Sequence, residues 1–314
     1  MTVPNVILGT NAVGGRLSDS DLKKTIDAFI AAGYNELDSA RIYAGGKSEE
    51  TLGRMGYSKS LKVATKLFPA KAGSFSADGV RKQATRCLTA LNVTTIDLLY
   101  LHFPDRPTPL EETCKAINEL YKEGKIKAFG LSNYSAFEVQ KIYDICNYNG
   151  YLKPTVYQGI YNPLSRDVEA ELFPALKQMN IAFYAYSPLA GGLLTNRYSS
   201  ITQNLEAGTR FSAGRYRDMF WKESYLEAVG NVKNVCSKHN IDIMDASMRW
   251  MKFHSGLDGS KGDGYILGGS SFAQMDLNIK ATQSESKLPE EILLAFDEAY
   301  YKTKATAEPY FAKF

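Results

Sequence analysis

The chain has 314 residues, enough for about two domains at ~150 residues each but also for one large α/β barrel. Hydrophobic residues make up 44% and charged residues 23%, which excludes a disordered, collagen-like or highly charged tail protein. Lysine plus arginine at 37 against aspartate plus glutamate at 34 leaves a net charge of +3, too small to hold a polyanion by counterion release, so no nucleic-acid partner is expected. The segment Met1-Thr2-Val3-Pro4-Asn5 has no basic start and leads into no apolar run of signal length. Nor does any run approach the ~18 apolar residues of a membrane span, so a cytoplasmic protein without membrane contact is expected. Cys87, Cys114, Cys146 and Cys236 lie far apart with no CxxC spacing and read as buried, reduced thiols.

Apolar runs of strand length recur at 6–8, 36–38, 61–65, 96–101, 126–131, 155–158, 181–186 and 265–267, eight in all. After the first comes an amphipathic stretch carrying Leu22, Ile26, Phe29 and Ile30 on one stripe, stopped by Gly33, where a left-handed residue costs least. Ser76 is placed to cap a second stripe of Val80, Ala84, Cys87, Leu88 and Leu91. Thr108-Pro109-Leu110-Glu111 and Ser135-Ala136-Phe137-Glu138 each read as a capping box, with Pro109 at the first helical position. Strand ends at 9, 38, 66, 102, 132, 158 and 187 are 26 to 36 residues apart, the length of one strand, one helix and two loops. That regularity predicts a (β/α)8 TIM barrel forming one domain over 1–314. An open doubly wound sheet is the alternative, but Gly9-Thr10-Asn11-Ala12-Val13-Gly14-Gly15 does not match its GxGxxG turn. The next strand end, at 268, is 81 residues beyond 187, so a long insertion after strand 7, rich in Gly191, Gly192, Gly208 and Gly214, is expected to form a lid.

In a barrel the polar residues closing the strands face the active site. Here they are Asp38, Lys66, His102, Ser132-Asn133, Gln158 and Ser187. Neighbouring strand ends lie within side-chain reach, where Asp38 and Lys66 neutralise each other and stay charged in a partly dry cleft. Tyr43, five residues after Asp38, is placed to bend back over the same mouth. Beside an ammonium its phenol pKa is expected to fall from ~10 toward working pH, as a general acid for a developing alkoxide requires. His102 is placed to orient the substrate oxygen or relay a proton. His239 and His254 fall in helix-like segments, and with no HExxH spacing no metal site is expected.

Asp38, Tyr43, Lys66 closing Leu61-Lys62-Val63-Ala64-Thr65-Lys66, and His102 in Leu98-Leu99-Tyr100-Leu101-His102 resemble the catalytic tetrad of the aldo-keto reductases. The resemblance spans nearly the whole chain. Tyr157-Gln158-Gly159, the glycine stretch Leu189-Ala190-Gly191-Gly192-Leu193-Leu194 and Arg215-Tyr216-Arg217-Asp218-Met219-Phe220-Trp221-Lys222-Glu223 look most like the aflatoxin aldehyde reductase group. It implies a reductase in which Tyr43 protonates a carbonyl oxygen, Lys66 and Asp38 tune Tyr43, and His102 positions the substrate. It also implies NADPH (NADP+) as cofactor, with the carboxamide held by Ser132, Asn133 and Gln158 and the ring stacked on Tyr186. Asp38, Ser187, Leu189, Gly191, Gly268 and Ser270 fall among the implied cofactor contacts. The Ser271-x-x-Gln274 capping pattern opens a helix whose amides attract phosphate, and the resemblance sets Gln274 and Asn278 near the adenine. Arg197 stands where the group usually has lysine, facing the 2′-phosphate. Phe272 follows Ser271 where other branches use a basic residue. In the substrate segment Tyr216 is kept, but Met219 stands in place of an arginine that binds a substrate carboxylate, which predicts a preference for uncharged aryl or aliphatic aldehydes. Arg210 and Arg217 are alternative sources of that charge. A homodimer is expected from the family. Alternatives are a NADP(H)-binding regulatory module with negligible turnover, an alcohol dehydrogenase running in reverse, and a barrel lyase or isomerase for a phosphorylated substrate.

Overall fold

The computed structural model describes residues 2–313. Eight parallel strands, β1 (Asn5–Gly9), β2 (Glu36–Asp38), β3 (Lys62–Leu67), β4 (Ile96–Leu101), β5 (Ile126–Ser132), β6 (Pro154–Ile160), β7 (Ala182–Tyr186) and β8 (Gly264–Leu267), close in sequence order into a barrel. Every predicted strand forms. The helices are α1 (Asp19–Ala31), α2 (Lys47–Arg54), α3 (Tyr57–Ser60), α4 (Ala77–Leu91), α5 (Leu110–Lys122), α6 (Ala136–Asn149), α7 (Leu172–Met179), α8 (Arg215–Phe220), α9 (Glu223–Lys238), α10 (Ile243–Phe253), α11 (Phe272–Thr282) and α12 (Glu290–Lys304). No helix among the described residues is long and apolar enough to cross a membrane.

Strand alternation divides the core in two. Val6, Leu8, Leu37, Val63, Leu99, Leu101, Phe129 and Leu131 face the helices, while Ile7, Ala64, Leu98, Tyr100, Val156, Tyr184 and Ile266 fill the barrel axis. Gly130 leaves room for one of these, since a Cβ there would sit 2.4 Å from the Tyr100 ring. The apolar filling stops at Asp38, Lys66 and Gln158, so the polar groups lie on top of a solid plug.

Local signals account for most helix boundaries. Ser76 caps α4 through Gly79 N–H, and Ser135 with Glu138 forms the reciprocal box on α6. The box expected at Thr108 does not form. Pro109 is the N-cap of α5 with no side-chain bond, because Thr108 donates instead to Asp105 Oδ2 at 2.7 Å. Asp105 also accepts from Gly73 and Phe75 N–H, and a buried carboxylate outcompetes a helix end for a hydroxyl. Ile30 is 48% exposed and leaves the predicted stripe of α1 at its last turn. The insertion between β7 and β8 contains irregular chain and then α8, α9 and α10, with α12 laid against α9.

Glu36 shares the axis-facing side of β2 with Asp38, at the amino end of the barrel, and the Tyr184 hydroxyl donates to it at 3.4 Å. Burial, reinforced by the like charge of Asp38, raises its carboxyl to about 7. The fold favours the neutral acid, so its contribution is present below the ordinary carboxylate range and lost as pH rises through 7. Glu36→Gln is expected to raise the urea midpoint at pH 8 and leave it unchanged at pH 4.5. An unchanged midpoint at pH 8 would contradict this.

Candidate active site

At the carboxyl end of the barrel, Lys66 Nζ donates to Asp38 Oδ1 at 2.5 Å and to the Ser39 carbonyl at 2.7 Å. Lys66 is 0% exposed and Asp38 2%, so neither charge has water. The other carboxylate oxygen, Oδ2, accepts from Gln158 Nε2 at 2.7 Å. Such a pair persists only when its remaining hydrogen-bonding capacity is met in this way. Burial lowers the Lys66 pKa, and the carboxylates of Asp38 and then Glu49 oppose that fall.

Tyr43 hangs above this pair in a 3-10 turn spanning Tyr43–Gly46. Lys66 Nζ lies 5.2 Å from its ring centre and the His102 ring meets it edge-on at 6.1 Å. The phenol pKa does not fall as the sequence leads one to expect. Burial, with the like charge of Asp38 adding to it, holds it well above 10. Tyr43 therefore stays protonated across working pH, as a proton donor must. His102 is neutral as well, its pKa held far below 6.5 by burial, Lys66 and Arg215. Its Nδ1 is buried with no hydrogen-bond partner, and its carbonyl accepts from Asn133 Nδ2 at 2.9 Å.

The same network takes in the next strands. Asn133 Nδ2 also donates to Ser132 Oγ, and the Tyr186 hydroxyl donates to Asn133 Oδ1, each at 2.9 Å. Ser187, left-handed at φ 58°, shares a 2.9 Å hydrogen bond with the Tyr216 hydroxyl. The insertion is thereby pinned to the end of β7.

The sequence model of the Aldo/keto reductase family matches residues 5–300. The chain belongs to this family. An aldo-keto reductase of Pseudocercospora fijiensis is 40% identical over 296 residues, 91% of this chain and 100% of the relative. Aflatoxin B1 aldehyde reductase member 2 of Homo sapiens is 40% identical over 319 residues, 97% of this chain and 89% of the relative. The mouse protein of the same name is 40% identical over 322 residues, 98% of this chain and 88% of the relative. The chain is an oxidoreductase enzyme, and carbonyl reduction is the activity its relatives' names carry.

Aldo-keto reductases generally use NADPH, and this mouth has features that fit such a cofactor. Asn11 Oδ1, in the loop after β1, is buried without a partner, as is His102 Nδ1. Tyr186 keeps a half-buried ring whose hydroxyl is fixed, and Leu189 and Gly191 follow it in a tight turn. Arg197 has no carboxylate within 4.0 Å among the described residues. At the start of α11, Ser271 caps Gln274 N–H, but Gln274 Oε1 folds back onto Ser270 N–H at 3.0 Å and Asp21 Oδ2 lies 3.4 Å from Phe272 N. Asn278 is buried and donates to the Gly268 carbonyl at 3.0 Å, bracing the loop.

Met219, expected on the substrate wall, is 6% exposed and lines a pocket of about 20 Å³ with Ile160, Phe220, Tyr225 and Tyr310. Helix α8 is only six residues long, and its apolar side chains Met219 and Phe220 take the side that packs inward. Arg217 is exposed and donates to the Phe211 carbonyl. The cations that reach the mouth are Arg215, 5.1 Å over the Phe103 ring, and Arg210, 4.4 Å over the Tyr216 ring. Phe68 and Phe103 complete the wall, meeting edge-on at 5.9 Å with Phe103 stacked on His102 at 4.9 Å. Neither residue was singled out from sequence, although Phe103 directly follows His102 and Phe68 lies two residues after Lys66.

Removing Asp38 by Asp38→Asn leaves the buried ammonium uncompensated, an expected loss of about 3–5 kcal/mol at pH 7 in urea unfolding. Because deprotonating Lys66 removes that charge, the deficit relative to wild type should shrink as pH rises toward 10. A deficit independent of pH would contradict the assignment.

Proposed function

We propose that this enzyme reduces aldehydes and ketones to alcohols with NADPH, using Tyr43 as the general acid. The observation that supports it is the convergence at one mouth of a protonated phenol, a neutral histidine with a free ring nitrogen and a buried ammonium held by a carboxylate. The reduced nicotinamide, when bound, supplies a hydride to the carbonyl carbon. Ser132, Asn133 and Gln158 would hold its carboxamide, Tyr186 would lie against its ring, and Arg197 would meet the 2′-phosphate.

A substrate carbonyl oxygen placed between Tyr43 and His102, whose rings meet edge-on at 6.1 Å, would accept a hydrogen bond from each. As negative charge builds on that oxygen, His102 polarises it and the phenol delivers its proton. The departing proton leaves a phenolate, whose charge Lys66 stabilises from below. Asp38 keeps Lys66 in place and lowers the cost of holding an ammonium in a dry site. The fixed hydroxyl of Tyr186 and the bracing of Asn133 against His102 set these groups before substrate arrives, which lowers the cost of orienting them during the reaction.

Phe68, Phe103, His102, Tyr43 and Tyr216 offer ring faces and edges, so the reading favours aryl aldehydes. The expected aversion to carboxylates rested on Met219, which lies elsewhere, whereas Arg215 stands at the rim. Acid-terminated aldehydes then bind through Arg215 but lack the ring that fills the slot.

NADPH oxidation with 2-nitrobenzaldehyde should be at least about 100-fold slower in Tyr43→Phe than in wild type, while NADPH still quenches protein fluorescence. Binding without turnover in wild type across an aldehyde panel would instead support a cofactor-binding regulatory module. Succinic semialdehyde should show a lower kcat/KM than 2-nitrobenzaldehyde in wild type. Arg215→Met should lower it a further ~10-fold for the acid alone. A loss shared equally by both substrates would contradict the role given to Arg215.

A further inference from the structure

Tyr43 sits in a loop between β2 and α2, and its position depends on how that loop is tied down. One tie is neutral: Ser48 Oγ, at the start of α2, donates to the Thr10 carbonyl at 2.9 Å and hydrogen-bonds the hydroxyls of Thr10 and Ser39 at 2.9 and 3.1 Å. The other is charged. Glu49, 0% exposed, takes Arg41 Nη1 on Oε2 at 2.5 Å and the Thr65 hydroxyl on Oε1 at 2.6 Å. Arg41 is two residues before Tyr43, and Thr65 is the neighbour of Lys66 on β3. Arg41 N–H donates to the Lys66 carbonyl at 3.2 Å, so backbone and side chain of the same residue are held to β3 and α2 together.

We propose that Glu49 is a positioning residue for Tyr43, holding the loop that carries the acid and the strand that carries Lys66 on one buried carboxylate. This inference rests on the reading of Tyr43 as proton donor. A buried carboxylate is costly unless both oxygens are satisfied, and here each oxygen serves a different element. The turn itself is shaped around the arginine: Gly46 has φ 101°, and a Cβ there would lie 1.9 Å from Arg41 Nη2. Only glycine lets the guanidinium lie across the end of the turn. The pair of Lys23 with Asp27, by contrast, is solvent-exposed and lies within one helix, where it ties no second element down. The Arg41 and Glu49 pair differs because its carboxylate is sealed below the mouth and reaches across to β3.

The test compares wild type, Glu49→Gln, Glu49→Asp and Thr65→Val for kcat and KM with 2-nitrobenzaldehyde, for NADPH binding by fluorescence quenching, and for urea stability. A misplacement of about 1 Å costs on the order of 100-fold, so Glu49→Gln should lower kcat about 10- to 100-fold. KM and the NADPH Kd should stay within about 3-fold, and the alkaline limb of the kcat profile should move because the phenol meets Lys66 differently. Glu49→Asp, which keeps the charge, should recover part of the loss. Thr65→Val, nearly isosteric and missing one contact, should lower kcat about 3- to 10-fold, and it decides the matter should Glu49→Gln not fold. Variants that lose stability yet keep wild-type kcat and pH profile would overturn the proposal and leave Glu49 a fold-stabilising residue only. A Tyr43→Phe enzyme with full kcat would instead overturn the underlying reading, and it shows this with Glu49 intact.

Discussion

A lysine with no exposed surface stands at the top of an apolar plug, and the rest of the site is arranged around its charge. Burial lowers the pKa of Lys66, and Asp38, 2.5 Å away, opposes that fall while the Ser39 carbonyl accepts a second hydrogen bond from Nζ. Asp38 in turn has both oxygens engaged, one by Lys66 and one by Gln158. Burial, and then the charge of Asp38, keep the proton on the phenol above the pair, while the Lys66 Nζ lies 5.2 Å from its ring. Were Lys66 unpaired, its field would favour the phenolate form of Tyr43. Were it absent, the phenolate would form in a dry pocket with nothing to stabilise it.

Parallel strands with closed ends explain why these residues meet. Asp38, Lys66, His102, Ser132, Gln158 and Tyr186 come from six successive strand ends, and barrel closure sets adjacent ends side by side. Those positions were legible in the sequence because strand-length apolar runs end abruptly in polar residues at a regular interval. The helix starts at Ser76 and Ser135 were legible for a similar reason, since a cap acts over three residues. The Thr108 cap failed because the decisive competitor, Asp105, is recruited by Gly73 and Phe75 from a different loop. No local pattern records that competition.

The insertion after β7 shows the same division more sharply. Its existence followed from spacing, but which of its arginines reaches the mouth did not. Arg215, Arg217 and Met219 lie within five residues, and a short helix decides that Met219 goes inward, Arg217 back to Phe211, and Arg215 over Phe103. The Tyr43 pKa was misread from sequence for a related reason: an ammonium nearby was foreseen, while the burial of the phenol and the proximity of the Asp38 charge are properties of the packed site. Glu49 lacked any signal as a functional residue, because a glutamate in the first turn of a helix ordinarily serves only the helix dipole.

The central claim is that this mouth passes a hydride to a carbonyl carbon while Tyr43 protonates the oxygen. It is tested most directly by reducing 2-nitrobenzaldehyde with NADPH deuterated at both C4 positions of the nicotinamide and weighing the product alcohol. The account predicts one deuterium on the carbinol carbon of the product. A product alcohol carrying no deuterium would contradict it.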